Sequence, residues 1–199
     1  MFDRNGDVNV TAENPGSATV AFTPVDGLIY TAEASIALST GGAGAWVGFG
    51  FANGQSNTSA NSNRFLGTVT EGRAWMYFRE NTNNPRAALT SITGETAWTG
   101  FTQSPSAADF RIVLDTTGGT GAWTATWFVK DQATATYSTV RATATLADED
   151  INSIGFAVSG SGVTADITNF SLTSEVPEPS SLALLGLGGL LIARRRRDS

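Results

Sequence analysis

The 199-residue chain contains no cysteine and no histidine. Without cysteine there is no disulfide, no thiol nucleophile and no thiolate metal site. Without histidine the Ser-His-Asp triad, His-ligated zinc and imidazole general-base chemistry are excluded together. Charge is scarce as well, at 15% of residues, and four of the 12 basic residues form one terminal run, Arg194, Arg195, Arg196 and Arg197. Ahead of Val176 stand 8 basic residues against 16 acidic ones, a body charge of about −8. A body so acidic, with no basic stripe, is repelled by a phosphate backbone, so nucleic acid is not an expected partner. The start also lacks something: Met1 is followed by Phe-Asp-Arg-Asn-Gly-Asp, with neither a cationic nor an apolar leader region, and the true start is expected upstream.

What is present is glycine (22 residues), much Thr, Ser, Ala and Asn, and enough apolar material (41%, with 10% aromatic) to build a core. The length suits one domain with a small appendage. Short alternating stretches, cut by Gly, Asn, Ser and Thr clusters, predict strands over 18–22, 28–38, 45–51, 64–69, 73–79, 109–115, 122–130, 136–142, 153–159 and 163–172. No stretch before the tail has a sustained helical period. The run around Thr116 to Gly121 is Gly-rich and separates two β-rich segments, which predicts a hairpin. The expected fold class is therefore all-β, a β-sandwich or jelly roll over residues 1–174, followed by one short hydrophobic helix within 175–199.

The tail, VPEPSSLALLGLGGLLIARRRRDS, has three parts. A rigid acidic turn (Pro177, Glu178, Pro179) precedes an apolar run carried by Leu182, Leu184, Leu185, Leu187, Leu190, Leu191 and Ile192, and the four arginines close it. A membrane span needs roughly 20 residues, with about 17 as the lower limit, so this run suits a short transmembrane helix with snorkelling arginines. The positive-inside rule then puts the arginine end in the cytoplasm and the body on the far side. The alternative is a buried terminal helix with a solvated basic end, against which stands the lack of any polar face between Leu182 and Ala193.

Taken in this order, the three parts resemble the PEP-CTERM sorting signal of exopolysaccharide-producing bacteria. The resemblance implies that an exosortase, a membrane-embedded cysteine transpeptidase, recognises Pro177-Glu178-Pro179 and removes the anchor after export. The protein would then pass transiently through the inner membrane to the cell surface or extracellular matrix, with exopolysaccharide as a candidate partner. The body is similar, more loosely, to concanavalin-like (laminin-G-like) β-sandwich domains, through YTAEASIAL leading to WVGFGFANG, then FRIVLDTTGGTGAWTATWFV, and INSIGFAVSGSGVTADITNFSLTS at the close. That resemblance implies a fold and a last strand pairing back toward the N-terminus; it does not imply an activity.

Candidate binding residues follow from alternation. Val47, Phe49 and Phe51 form one face of a strand and leave Trp46 on the other; Met76 and Phe78 likewise oppose Trp75, Tyr77 and Arg79. Trp46, Trp75, Tyr77 and Arg79 together mix aromatic rings with a fork donor, as a carbohydrate platform would. The competing reading is structural packing of the same rings, and Trp123 and Trp127 are read as core. Asp148, Glu149 and Asp150 form an acidic run that could offer oxygens to calcium, or serve as a solvated turn, since three adjacent acids cannot all face one ion. No other cofactor or metal is implied.

Three functions remain open. The first is a non-enzymatic surface or matrix protein with weak glycan binding; the second is a secreted hydrolase using paired carboxylates; the third is a spacer with no ligand. The absence of His and Cys favours the first over the second. So does the absence of the Glu-x-Asp-x-x-Glu strand motif that laminarinase-like hydrolases carry on this fold.

Overall fold

In the computed structural model the described residues are 8–11, 16–39, 46–53, 72–79, 86–89, 96–97, 107–130, 135–138, 140–159 and 164–177. Among them every regular element is a strand, and the strands form two six-stranded antiparallel sheets. The first sheet runs in the order β1 (Val8–Thr11), β12 (Thr164–Glu175), β3 (Ile29–Ser39), β8 (Ala107–Asp115), β9 (Thr124–Val129) and β10 (Val140–Thr145). The second runs β2 (Gly16–Ala21), β11 (Ser153–Ser159), β4 (Trp46–Ala52), β5 (Gly72–Arg79), β6 (Arg86–Leu89) and β7 (Thr96–Ala97). The last strand pairs with the first, Val8 opposite Ile167, and on its other side with β3, as the close of a concanavalin-like body requires.

Alternation decides which residues meet between the sheets. β8 and β9 alternate half-buried and buried along their whole length, and their buried positions Phe110, Ile112, Leu114, Ala125, Trp127 and Val129 all join the core. The facing sheet contributes Val47, Phe49, Phe51, Ala74, Met76, Ile154, Phe156 and Val158. Each large apolar side chain taken fully out of water stabilises the fold by roughly 1.5–3 kcal/mol. Phe49 stacks on Phe156 (centroids 5.1 Å apart, planes at 17°), and the Phe170 ring meets both edge-on at 6.3 and 5.4 Å, so β4, β11 and β12 are clamped through one aromatic trio.

The predicted strands recur with their ends moved by a few residues, and the predicted hairpin is β8–β9, paired from Phe110 opposite Val129 to Asp115 opposite Thr124. Its turn needs glycines: Gly119 and Gly121 both have positive φ (76° and 88°). One expectation is corrected. The strand predicted over 136–142 begins at Val140 and runs to Thr145, while Thr136 makes only an isolated bridge. Thr and Tyr there have strand propensity, but pairing with β9 starts at Val140 opposite Phe128, and the sheet decides the extent. β6 and β7, not predicted, are short Ala/Thr-containing stretches whose pairing partners lie outside their own local pattern. The predicted strand 64–69 and the predicted tail helix lie outside the described residues. Among the described residues no helix is long and apolar enough to cross a membrane.

Candidate functional site

Candidate residues lie on three surfaces: the loop end from which β12 leaves the sandwich, and the outer face of each of the two sheets.

The loop end is held by polar side chains. Thr116, fully buried, sits between the β2–β3 connection and the hairpin turn: its N–H donates to Leu28 O (2.9 Å), and its carbonyl accepts from Gly27 N (3.0 Å) and Gly119 N (3.1 Å). Its hydroxyl accepts from Leu28 N (3.0 Å) and lies 2.8 Å from the carbonyl oxygens of Val25 and Leu28, either of which can take its proton. Trp123 is tied by both ends: its indole N–H donates to Asp26 Oδ1 (2.7 Å), its backbone N–H to Glu149 Oε1 (2.6 Å), and its carbonyl accepts from Leu146 N (2.8 Å). Asp26 Oδ2 also accepts from Thr120 Oγ1 (2.9 Å), and Asp115 Oδ1 accepts from Thr117 N (2.9 Å) within the turn.

The acidic run lies in this network. Asp148 pairs with the buried guanidinium of Arg73 (3.1 Å), Glu149 receives the Gly121 (2.7 Å) and Trp123 N–H groups, and Asp150 accepts from Asn53 Nδ2. Asn152 Nδ2 donates to Asn53 Oδ1 (2.7 Å), which closes the link between the β10–β11 loop and the end of β4. The three carboxylates therefore point to three different partners. The turn reading describes the run: Asp148 and Asp150 are exposed in the β10–β11 loop, the Asp150 N–H closes a turn on Asp148 Oδ1 (3.0 Å), and the same carboxylates also tie neighbouring loops together. Among the described residues no group of three or more metal-ligating side chains converges.

On the outer face of the second sheet, Trp75 and Tyr77 stand where alternation puts them, opposite the core, but they are only 2% and 1% exposed. They pack with Ala52 and Ala157, rings 5.8 Å apart, and neither presents an open face to a sugar. The packing alternative thus describes their geometry. Cross-strand neighbours make the room: Gly50 pairs with Trp75, Gly48 with Tyr77, and Gly155 with Gly50. Trp46 pairs with Arg79 along the same register, but the side chains of both lie outside the described residues, as do those of Glu178, Pro179, Leu182, Leu184, Leu185, Leu187, Leu190, Leu191, Ile192 and Arg194 to Arg197. Pro177 ends the described chain directly after β12, beside Val176, which is 70% exposed.

The outer face of the first sheet holds what alternation alone did not reveal. Arg111 forms a salt bridge with Glu33 across the strand pair (Nε–Oε1 2.6 Å), and its guanidinium lies 4.1 Å from the centre of the Tyr137 ring. Burial, then the nearby carboxylates of Glu33 and Asp109, push the Tyr137 phenol far above its ordinary pKa, with Arg111 acting in the opposite direction. Beside this cluster a cleft of ≈ 580 Å³ opens among Ser35, Asp109, Lys130, Asp166 and Thr168, with Ala37 and Ala107 at its base. These residues come from four separate segments, one or two from each and without a local motif, so no sequence signal marks them.

Residues 175–197 match the PEP-CTERM protein-sorting motif. That motif implies export, passage through the membrane and processing by an exosortase. No curated protein matches the chain. Among solved structures, the chain is similar to a point variant of the Emp46p carbohydrate recognition domain (11% identity, TM-score 0.52) and to the potassium-bound form of the same domain (11%, TM-score 0.51). Each alignment covers 85% of this chain and 83% of the other. The Lotus tetragonolobus seed lectin aligns over 85% of this chain and 86% of its own, at 14% identity and a TM-score of 0.49. At these identities the likeness establishes a concanavalin-like β-sandwich and no more.

Proposed function

We propose that the protein is a non-enzymatic glycan-binding module, exported, released from its membrane anchor by an exosortase, and delivered to the cell surface or the extracellular matrix. The observation that carries this reading is the sorting motif over 175–197, which follows without a spacer on the last strand of a folded sandwich ending at Glu175. The chain divides there: residues 1–174 form the sandwich, and 175–199 the sorting signal, in which Leu182 to Ile192 act as a temporary membrane helix and Arg194 to Arg197 as its cytoplasmic stop. Support for glycan binding is the fold shared with a carbohydrate recognition domain, and exopolysaccharide is the expected partner.

The hydrolase alternative has less support. Retaining and inverting hydrolysis both need two carboxyl groups facing one bond, roughly 5–10 Å apart. Asp148, Glu149 and Asp150 instead each serve a different loop contact. No cofactor is needed for this role, and calcium is not assigned one.

Intact mass spectrometry of the surface and secreted fractions of the native host tests the reading. Loss of the arginine-rich end from the mature protein is the expected result. An intact tail retained in the membrane fraction would reduce the signal to a plain anchor and overturn the sorting half of the proposal.

A further inference from the structure

The geometry points to the cleft on the outer face of the first sheet as the place where a neutral, hydroxyl-rich saccharide binds; this rests on the glycan reading above and gives it a location. Two cross-strand rows build the cleft. In one, Thr168 on β12 lies opposite Ser35 on β3, which lies opposite Asp109 on β8, and Lys130 continues the row with its N–H on the Asp109 carbonyl (3.0 Å). In the next, Asp166 lies opposite Ala37, which lies opposite Ala107. The first row presents two hydroxyls, a carboxylate and an ammonium in sequence; the second replaces all but one side chain by a methyl group, and the resulting hollow is the cleft of ≈ 580 Å³. That size lies in the range of small-ligand sites, roughly 300–1,000 Å³.

The chemistry of the rim selects a ligand class. Strands stand about 4.8 Å apart, so successive groups of the row are spaced to meet different hydroxyls of one sugar ring. Carboxylates accept from hydroxyls, and ammonium and hydroxyl groups donate to ring and hydroxyl oxygens. The Asp109 carboxylate and Lys130 ammonium are paired at 3.3 Å, and Glu33 and Arg111 at 2.5 Å in the adjacent row, while Asp166 adds a further negative charge. The rim thus has no excess of positive charge with which to attract a uronate or phosphate. The β-bulge at Asn169, where φ is 54°, sends its amide to Ser35 Oγ (3.2 Å) and fixes the hydroxyl end of the row.

Position favours the same surface. The rings of Trp75 and Tyr77 on the other sheet are covered, whereas this cleft is open. It also lies toward the end of the sandwich opposite the tail: at ~3.3 Å per residue, the path along β12 from Asp166 to Glu175 is roughly 30 Å. A chain held by its tail would therefore present the cleft away from the membrane.

The test uses the full chain in mild detergent, titrated calorimetrically with maltoheptaose, cellohexaose, mannohexaose and a galactan, and with polygalacturonate as the anionic arm. Ala107→Trp fills the floor, and Ser35→Ala with Thr168→Val removes hydroxyls without adding bulk. Thermal midpoints show that each variant is folded, and Val20→Ser, on an exposed edge of the other sheet, is the control. Expected is binding of at least one neutral saccharide that both groove variants weaken by about tenfold or more, and the control does not. Neutral-saccharide binding that folded groove variants retain at full strength would overturn the location and leave the glycan reading standing. Binding of polygalacturonate alone would overturn the ligand class. Binding of no saccharide by the unaltered chain would overturn the glycan reading, and this inference with it.

Discussion

Gly50 lies directly across from Trp75 in the second sheet, and a Cβ on Gly50 would stand 2.6 Å from Trp75 Cα and 2.8 Å from its Cβ while colliding with the carbonyl oxygen of Ala74. The glycine also holds a φ of 151°. Both facts make it irreplaceable for local reasons, whereas Gly119, with φ 76°, has nothing within 4 Å of its would-be Cβ. Gly50→Ala is expected to cost roughly 2–4 kcal/mol, and Gly119→Ala about 1–2 kcal/mol, by urea unfolding of the full chain in one detergent. Equal losses at the two sites would mean that the close approach of β4 and β5 is not the constraint.

Trp75 itself is expected to behave as packing. Trp75→Ala should lower stability by about 3–5 kcal/mol, the range for emptying a buried aromatic site. A folded, equally stable variant that loses saccharide binding would instead make the ring a ligand contact.

Glu149 bridges two backbone N–H groups, of Gly121 and Trp123, from another loop. Glu149→Ala strands both, and the expected loss is roughly 1–3 kcal/mol, seen as a lower thermal midpoint. Because Asp148, Glu149 and Asp150 are each engaged elsewhere, millimolar calcium should leave the midpoint of the unaltered chain where it is. A clear upward shift with calcium, absent in the Glu149 variant, would show that the loop rearranges around an ion.

Tyr137 sets an alkaline limit. Its phenol is held protonated chiefly by burial, with Glu33 and Asp109 adding to the effect, so the folded state keeps its proton above the ordinary value near 10 at which the unfolded chain releases it. Stability from this group is complete below about pH 10 and declines as pH rises beyond that. Unfolding midpoints between about pH 8 and pH 12 should fall more steeply for the unaltered chain than for Tyr137→Phe, which has no proton to lose; parallel curves would assign the alkaline loss to other groups.

Replacement of Pro177, Glu178 and Pro179 by alanine is expected to leave the protein membrane-associated with its arginine end intact, in cell fractionation followed by mass spectrometry. Normal release of that variant would place recognition elsewhere in 175–197.

Much of this protein is local and therefore readable along the chain. Three-part order in the tail is a property of consecutive residues, as are the period-two alternation of Phe110 to Asp115 and the glycines of the hairpin turn, so the sorting signal, the fold class and the β8–β9 pair all follow from sequence. The absence of histidine and cysteine likewise excludes whole chemistries from composition alone. Tertiary structure decided the rest because it depends on which strands become neighbours. Alternation puts Trp75 and Tyr77 on a face, but only packing determines that the face is covered. Asp148, Glu149 and Asp150 read as one acidic run until the loops around them assign each carboxylate its own partner. Ser35, Asp109, Lys130, Asp166 and Thr168 carry no mutual pattern in sequence, and they become a rim only because β12, β3, β8 and β9 pair in one register, with Ala37 and Ala107 left in the row beside Ser35 and Asp109.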